Sequence, residues 1–298
     1  MRPVLVLGAS GMLGQGVLSA LKGYEGHIQA SVRRGESVPG FPDVETLMFD
    51  ASAQDIRYLS AVIKPGTLII NCIGIIKPYI HDENQSEREV AIRINGLFPY
   101  DLARFAESEG HEVVQIATDC VYSGLSGLYS ESDDFDALDV YGKSKSLGEV
   151  PSPSMMHIRV SIIGPEMGRS TSLFEWVRNQ PPNAVIGGFT DHLWNGVTTF
   201  HFGKVVRGVA ESNGFKAGTY HLTPGDIVTK ETLVRLIANS SNRDDLTIDP
   251  RESGKSINRT LVTNFVDISS RLWNCAGYVR APSVQEMISE LGQLLEAN

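Results

Sequence analysis

The sequence predicts an α/β fold, in which a doubly wound parallel sheet is covered by helices on both faces and a smaller C-terminal lobe follows. Two observations predict it. Short, continuously apolar runs alternate with amphipathic stretches through the first half of the 298-residue chain. Because strands of a covered parallel sheet are buried on both faces, they form unbroken apolar runs. Beyond about residue 165 this alternation ends, and the chain continues in shorter segments that are separated by Gly and Pro.

Six apolar runs are predicted to be parallel strands: residues 4–8, 27–32, 44–49, 67–74, 112–118 and 156–163. Helices are predicted between them, notably over 12–23 and 97–108, where apolar residues recur at helical spacing. We expect residues 1–165 to form the sheet domain and residues 166–298 to form mainly the lobe. Some segments of the lobe are expected to return to the sheet domain.

Composition and charge restrict the function classes. A formal net charge of −9 disfavours a general nucleic-acid binder, and no apolar run has the length of a membrane span. The N-terminus enters a short strand and a glycine turn, unlike a signal peptide. Cys72, Cys120 and Cys275 are widely spaced, which suits a reducing cytoplasm, and the scattered histidines predict no metal site.

A glycine turn joins the first strand to the first helix. In VLVLGASGMLGQG, glycines 8, 11 and 14 recur every third residue. Such a Rossmann-type turn lets the backbone approach a pyrophosphate, which then accepts hydrogen bonds from the helix N-terminus. A turn that needs glycine only for its backbone is the alternative. The predicted nucleotide contacts are Gly8, Ser10, Gly11, Met12, Leu13 and Gly14.

The end of the second strand indicates which nucleotide binds. A carboxylate there would bind the adenosine ribose of NAD, but this chain has Arg33 and Arg34. Two guanidiniums suit the 2′-phosphate of NADP(H), although a solvated basic turn is the alternative. Asp50 and Ala51 end the third strand and are placed to contact the adenine. Asp50 is an equally good N-cap for a helix over 51–60.

Residues 140–149, VYGKSKSLGE, place Tyr141 and Lys145 four positions apart. On a helix these side chains share one face. A cation beside a phenol lowers the pKa of the phenol, which would make Tyr141 a general acid near neutral pH. Taken alone, this pair is also expected on an ordinary exposed helix.

Further motifs give this pair its context. NCIG at 71–74, Asn95 at the start of INGLFPYDLARFAE and ATDCVYSG at 117–124 precede it in the chain. Together they resemble the extended short-chain dehydrogenase/reductases. The closest resemblance is to the dTDP-4-dehydrorhamnose reductase branch, whose patterns are STDYVFDG and YGKTKLAGE. DHLWNGVTT at 191–199 is similar to the DQYGAPT loop of that branch. The resemblance covers about residues 3–165.

The resemblance implies NADPH-dependent reduction of a nucleotide-activated keto sugar, with a 4-keto-6-deoxyhexose expected. It implies that Tyr141 donates the proton, while Lys145 lowers the phenol pKa and holds the nicotinamide ribose. It also implies that Thr118 hydrogen-bonds the carbonyl and that Asn95 supports the lysine through a water. From the residues alone, Thr118 is equally a strand-end hydroxyl and Asn95 a helix N-cap.

The remaining implied contacts fall into three groups. Cofactor contacts are Cys72, Ile73 and Gly74, and substrate contacts are Lys77, Thr118, Asp119, Cys120, Trp194 and Asn195. Lys77 could instead be solvated, and Cys120 could be a packing residue. The arginines that could bind the diphosphate, without a choice among them, are Arg169, Arg251, Arg259, Arg271 and Arg280.

Departures from the branch leave alternatives open. Cys120 replaces the aromatic residue of TDYVF, and no second carboxylate follows Asp119, which disfavours a 4,6-dehydratase. A nucleotide-sugar epimerase stays open as a second enzyme. A non-catalytic, NADP-binding regulatory subunit resembling that of methionine adenosyltransferase is the alternative from another class. The base, the sugar, the stereochemistry and the oligomeric state are left open, and a homodimer is one assembly that the sequence allows.

Overall fold

The computed structural model describes residues 1–35, 37–166 and 171–297. Its strands are β1 Val4–Leu7, β2 Ile28–Val32, β3 Glu45–Met48, β4 Leu68–Asn71, β5 Glu112–Thr118, β6 Met155–Val160, β7 Ile162–Ile163, β8 Val185–Phe189, β9 His192–Trp194, β10 Val197–Thr198, β11 Gly218–His221, β12 Val228–Thr229, β13 Thr247–Arg251 and β14 Ile257–Asn258. Its α-helices are α1 Met12–Ala20, α2 Gln85–Ala91, α3 Phe98–Glu109, α4 Val140–Leu147, α5 Leu173–Arg178, α6 Thr199–Ser212, α7 Lys230–Ser240, α8 Val266–Cys275 and α9 Val284–Glu296.

Seven of the described strands form one sheet in the order β11-β6-β5-β4-β1-β2-β3, and every neighbouring pair is parallel. The α/β prediction and the six predicted parallel strands are confirmed. The inner strands β1 and β4 are buried at every residue, which explains their unbroken apolar runs. Successive strands run from β1 towards β3 on one side and from β4 towards β6 on the other. The carboxyl ends of β1 and β4 therefore border the crevice where such sheets bind ligands.

The predicted helices over 12–23 and 97–108 correspond to α1 and α3. Asn95 does not begin a helix. It lies in a π-helical turn, Ile92–Leu97, that joins α2 to α3, and the N-cap of α2 is Asn84. The expectation that Asn95 is an N-cap is therefore wrong, because the helical chain begins ten residues earlier.

The N-cap expectation for Asp50 is also wrong. Residues 51–54 form a turn, and Asp55 caps the short 3₁₀ helix Ile56–Ala61 by accepting a hydrogen bond from the Arg57 backbone. The carboxylate of Asp50 instead accepts hydrogen bonds from the backbone and the hydroxyl of Ser52, at 2.9 Å and 2.6 Å. Asp50 thus closes a tight turn at the carboxyl end of β3.

The C-terminal half contributes small sheets and two elements that return to the main sheet. The small sheets are β7 with β10, β8 with β13, and β12-β9-β14. β11 pairs with β6, and α6 packs so closely on α1 that a Cβ on Gly203 would lie 2.7 Å from the Gly16 carbonyl oxygen. The division at residue 165 stays a prediction.

Candidate active site

The glycine turn leaves the N-terminus of α1 open for an anion. Gly8 has φ +74°, and a Cβ on Gly14 would lie 2.5 Å from the Gly8 carbonyl oxygen, so the helix starts directly against the turn. Gly11 is the N-cap, and no side chain in the described part of the chain caps this helix. Its first N–H groups and the positive end of the helix dipole therefore suit a pyrophosphate.

The carboxyl end of β4 lies against this turn. A Cβ on Gly8 would approach Ile73 Cγ1 to 3.0 Å, and the side-chain oxygen of Asn71 accepts a hydrogen bond from the Ile73 backbone at 3.1 Å. Burial raises the pKa of the Cys72 thiol. The structure thus brings together two of the chain segments for which cofactor contacts are predicted.

Arg33 and Arg34 follow β2, and both are exposed. The pKa of the Asp50 carboxyl is lowered chiefly by its hydrogen bond from Ser52. The positive charges of Arg33 and Arg34 lower it further. Ala51 is buried behind this turn. Two cations against one carboxylate leave net positive charge at the edge of β2 and β3, as a 2′-phosphate requires.

Thr118, Tyr141 and Lys145 meet at the carboxyl end of β5. The Thr118 hydroxyl lies close enough to the Tyr141 phenol to lower the pKa of that phenol, and the ammonium of Lys145 donates to the Ile116 carbonyl at 2.9 Å. Asp139 caps α4 by accepting a hydrogen bond from the Gly142 backbone at 2.8 Å. The predicted i, i+4 pair therefore lies on a capped helix packed against the strand that carries Thr118.

The direction of the phenol pKa differs from the expectation. Burial raises the pKa of Tyr141, the Cys120 thiol adds to this, and the hydrogen bond with Thr118 opposes it. Burial also lowers the pKa of Lys145 to about 8. The expected lowering of the phenol pKa is therefore wrong for this structure, because desolvation of the phenolate outweighs the favourable contacts.

Asn95 links α4 to the loop after β4. Its side-chain oxygen accepts a hydrogen bond from the Ile75 backbone at 2.9 Å, and its amide donates to the Ile75 carbonyl at 2.9 Å and to Ser144 Oγ at 3.2 Å. The π-helical turn therefore directs the Asn95 amide towards Ser144, the residue before Lys145. No direct bond joins Asn95 and Lys145 in the described residues, so support of the lysine through a water stays a prediction.

The whole arrangement can be compared with known proteins. Residues 1–291 match the family model described as RmlD substrate binding domain. The chain belongs to this family. That membership confirms the resemblance drawn from the motifs, since dTDP-4-dehydrorhamnose reductases are among its structural neighbours.

Three proteins illustrate what the chain is similar to. A probable low-salt glycan biosynthesis reductase, Agl14, from Haloferax volcanii is 27% identical over 241 residues, 75% of each chain. Methionine adenosyltransferase 2 subunit beta of Danio rerio is 28% identical over 256 residues, 81% of this chain and 74% of that one. The crystal structure of dTDP-4-dehydrorhamnose reductase from Bacillus anthracis in complex with NADP has a TM-score of 0.69 at 18% identity, covering 98% of this chain and 99% of that one.

This RmlD-family chain places several predicted substrate contacts around Thr118. Thr118 Oγ1 donates to the buried carboxyl of Asp119 at 3.3 Å and accepts from the Cys120 backbone at 3.1 Å. Burial raises the pKa of the Cys120 thiol to about 12, which favours the packing interpretation over a nucleophile. Lys77 forms an ion pair with Asp139 at 2.6 Å, so it lies beside the N-terminus of α4.

The predicted contacts from the 191–199 loop are buried in hydrogen bonds within the chain. The Trp194 indole donates to Ser161 Oγ at 2.8 Å. The Asn195 amide donates to the Leu261 carbonyl at 2.8 Å, and its oxygen accepts from the Leu261 backbone at 2.9 Å. Both side chains hold the lobe together, and their contact with substrate stays a prediction.

Only one of the described candidate arginines lies beside the carboxyl end of β5. Arg259 donates from Nε to the Tyr122 carbonyl at 2.9 Å, and its charge lowers the pKa of both Asp119 and Asp139. The others are exposed and bonded elsewhere: Arg251 lies over the Phe189 ring, Arg271 donates to the Asn213 carbonyl and Arg280 pairs with Glu286. Arg169 lies outside the described residues.

The sequence interpretation missed Lys230. The structure places its charge close enough to Asp119 and Cys120 to be affected by both, although 110 positions separate it from Cys120 in the chain. The only local signal is its place in TKE, where Thr229 caps the helix that Lys230 begins. Nothing in that signal indicates the neighbourhood of Thr118.

Two negative findings concern only the described residues. Across residues 1–35, 37–166 and 171–297, no group of three or more His, Cys, Asp or Glu side chains is arranged to hold a metal ion. Within those same ranges, each helix is too short or too polar to cross a membrane. The three cysteines are free thiols.

Proposed function

We propose that the protein is an NADPH-dependent reductase of a nucleotide-activated keto sugar, with Tyr141 as the proton donor. The observation that supports this best is the meeting of Thr118, Tyr141 and Lys145 at the carboxyl end of β5. The open N-terminus of α1 lies in the same crevice region. The similar proteins that are named reductases favour the same chemistry.

The residues present fit NADPH, which would supply the hydride when bound. The α1 N-terminus would hold its pyrophosphate, and Arg33 and Arg34 its 2′-phosphate. Lys145 would hold the nicotinamide ribose. The segment from Cys72 to Gly74, packed on the glycine turn, would border the same site.

Thr118 and Tyr141 would orient the substrate carbonyl with two hydrogen bonds. As the carbonyl carbon is reduced, its oxygen gains negative charge, which both hydroxyls stabilise before the phenol gives up its proton. A raised phenol pKa keeps Tyr141 protonated, and therefore able to donate, throughout the neutral range. The ammonium of Lys145 then stabilises the phenolate that the transfer leaves behind.

A spectrophotometric assay of NADPH oxidation tests this function. The panel should pair dTDP, UDP, GDP and CDP with a 4-keto-6-deoxyhexose, because the sequence leaves the base and the sugar open. We expect at least one member to be reduced, with one equivalent of NADPH consumed per hydroxyl formed. Binding of NADPH without reduction of any member would contradict the proposal.

One observation favours a second candidate, an NADP-binding regulatory subunit. The methionine adenosyltransferase subunit of Danio rerio matches 81% of this chain, more than the glycan reductase does. The presence of Tyr141 and Lys145 in this chain is compatible with that role. Co-purification of the tagged protein with a larger enzyme, whose activity depends on it, would favour this candidate when the keto-sugar panel gives no turnover.

A further inference from the structure

Two cations of the lobe flank one short strand beside the catalytic residues. Lys230 directly follows β12 and Arg259 directly follows β14, and both strands pair with β9. Thr229 and Asn258, the last residues of these strands, are both partnered with Leu193. The backbone therefore fixes the two cations on opposite sides of the same strand.

The aliphatic part and the Nε of the Arg259 side chain are fixed by contacts within the protein, whereas its two terminal nitrogens have no protein partner among the described residues. Its Nε donates to the carbonyl of Tyr122, a buried residue four positions after Thr118. A Cβ on Gly124 would lie 3.0 Å from Arg259 Cγ, so the aliphatic part of the side chain is packed. Its two terminal nitrogens make no hydrogen bond to any described residue.

Lys230 also lacks a direct counter-ion. Its ammonium makes no hydrogen bond and no ion pair within the described ranges, although burial lowers its pKa. The Asp119 carboxyl opposes that lowering and Arg259 adds to it. Lys230 is half-buried, and because a partly buried ammonium without a bonded anion is less stable than a paired one, this position suits a ligand that brings an anion.

The other charged groups nearby do not cancel the two cations. Asp119 is the carboxyl that both cations act on, and it supplies at most one negative charge against two positive ones. The charge of Arg259 also lowers the pKa of Asp139, but this carboxylate already forms an ion pair with Lys77 at 2.6 Å. The Cys120 thiol is neutral, with a pKa of about 12. The cluster of Lys230, Arg259 and Asp119 therefore keeps a net positive charge.

We propose that Lys230 and Arg259 form an oxyanion subsite of the substrate pocket, next to Cys120. The substrate would carry a carboxylate or phosphate group close to the carbonyl that Thr118 and Tyr141 bind. The description of that substrate as a nucleotide sugar rests on the proposed function, whereas the oxyanion chemistry does not. Two groups could supply it: a carboxylate on the sugar ring, or the diphosphate that joins the sugar to the nucleoside.

Inorganic pyrophosphate tests the subsite without any sugar nucleotide. Its affinity should be measured by thermal shift with NADP⁺ at saturation, so that the cofactor occupies its own pyrophosphate site. We expect Lys230→Met and Arg259→Met to weaken pyrophosphate by about 10- to 100-fold, the usual effect of losing a charge-assisted hydrogen bond. The control is Lys64→Met. Lys64 is exposed and precedes the amino end of β4, whereas the proposed subsite lies beyond the carboxyl end of β5. No binding to the unmodified protein, or equal binding by all variants, would overturn the subsite.

A second titration identifies the source of the oxyanion. UDP-glucose and UDP-glucuronic acid share the diphosphate but differ in the ring carboxylate. A loss confined to UDP-glucuronic acid in Lys230→Met supports the carboxylate, and an equal loss for both supports the diphosphate. Tight binding of both sugar nucleotides that Lys230→Met leaves unchanged would overturn the subsite. If neither binds the unmodified protein, the base or the sugar is not the one that this protein accepts, and the pyrophosphate titration decides the subsite.

Discussion

Asn95 donates a hydrogen bond to Ser144 Oγ at 3.2 Å and so joins the loop after β4 to the helix that carries Tyr141 and Lys145. The same Asn95 side chain binds both the N–H and the carbonyl of Ile75. One buried amide therefore fixes the loop after β4 relative to α4, the helix that carries the proposed proton donor. Because Asn95 and Ser144 are buried and Ile75 is half-buried, removing the amide leaves several polar groups unpaired.

Asn95→Ala should therefore destabilise the protein more than Ser144→Ala does. Each buried group left without a partner costs about 1–3 kcal/mol, and Asn95→Ala exposes both backbone groups of Ile75 to that loss. Ser144→Ala removes one bond to Asn95 and one to the Tyr141 carbonyl. Urea unfolding of both variants measures the difference. Equal free energies of unfolding would show that the Ile75 bonds contribute nothing.

Tyr141→Phe should abolish turnover while leaving fold and NADPH affinity intact. The change removes the proton donor and one hydrogen bond to the developing alkoxide. General acid catalysis alone accounts for roughly 10² to 10⁴-fold in rate. Steady-state NADPH oxidation with an accepted keto sugar measures the loss, and fluorescence titration with NADPH provides the control. Near-full activity in Tyr141→Phe would assign the tyrosine a structural role.

The rate should fall as pH rises through about 8. Burial lowers the pKa of Lys145 to about 8, so its ammonium is charged below that pH and neutral above it. A neutral lysine no longer stabilises the phenolate of Tyr141. The profile of kcat/KM reports groups of the free enzyme and is the measurement to make. A profile that stays flat to the ordinary lysine range near pH 10 would contradict this role.

Replacing Arg33 and Arg34 together with alanine should weaken NADPH far more than NADH. Each charge-assisted contact to a 2′-phosphate is worth about 1.5–3 kcal/mol, and NADH lacks that group. Arg57→Ala is a suitable control, because the Arg57 side chain is exposed and forms its ion pair, among the described residues, with Asp55. Binding titrations with both cofactors give the ratio. Equal losses for NADPH and NADH would remove the basis for assigning NADP.

The sequence predicted the sheet well, because burial on both faces leaves a local signature. The runs that became β1 and β4 are apolar at almost every position, and their strand assignment needed no partner. Tyr141 and Lys145 could likewise be paired, because helical spacing is a property of the local sequence. The direction of the Tyr141 pKa could not be predicted, since it depends on burial that the whole fold creates.

Residues whose neighbours come from distant segments were predicted poorly. Arg259 could not be separated from four other arginines, because its position depends on the pairing of β14 with β9. Lys230 depends in the same way on the pairing of β12 with that strand. Asn95 was misassigned as an N-cap because a π-helical turn has no strong sequence signal.

A buried ion pair lies next to α4, the helix that carries Tyr141 and Lys145. Glu149 follows α4, and its carboxylate binds the Arg159 guanidinium, with side chains only 4% and 5% exposed. Arg159→Met would leave the Glu149 charge buried without its partner, which should lower the free energy of unfolding by about 3–5 kcal/mol. Denaturant unfolding measures it. A loss below about 1 kcal/mol would indicate that water replaces the guanidinium.

The same carboxylate connects stability to catalysis. After burial, the charge of Glu149 is the largest influence on the pKa of Lys145, and it raises that pKa. Glu149→Gln should therefore move the fall of kcat/KM to a pH below that of the unmodified protein, because the ammonium loses a favourable neighbour. Ser146→Ala, on the same helix but uncharged, should leave the midpoint unchanged. If Glu149→Gln lowers stability but leaves the midpoint of the pH profile in place, the group titrating near pH 8 is not Lys145.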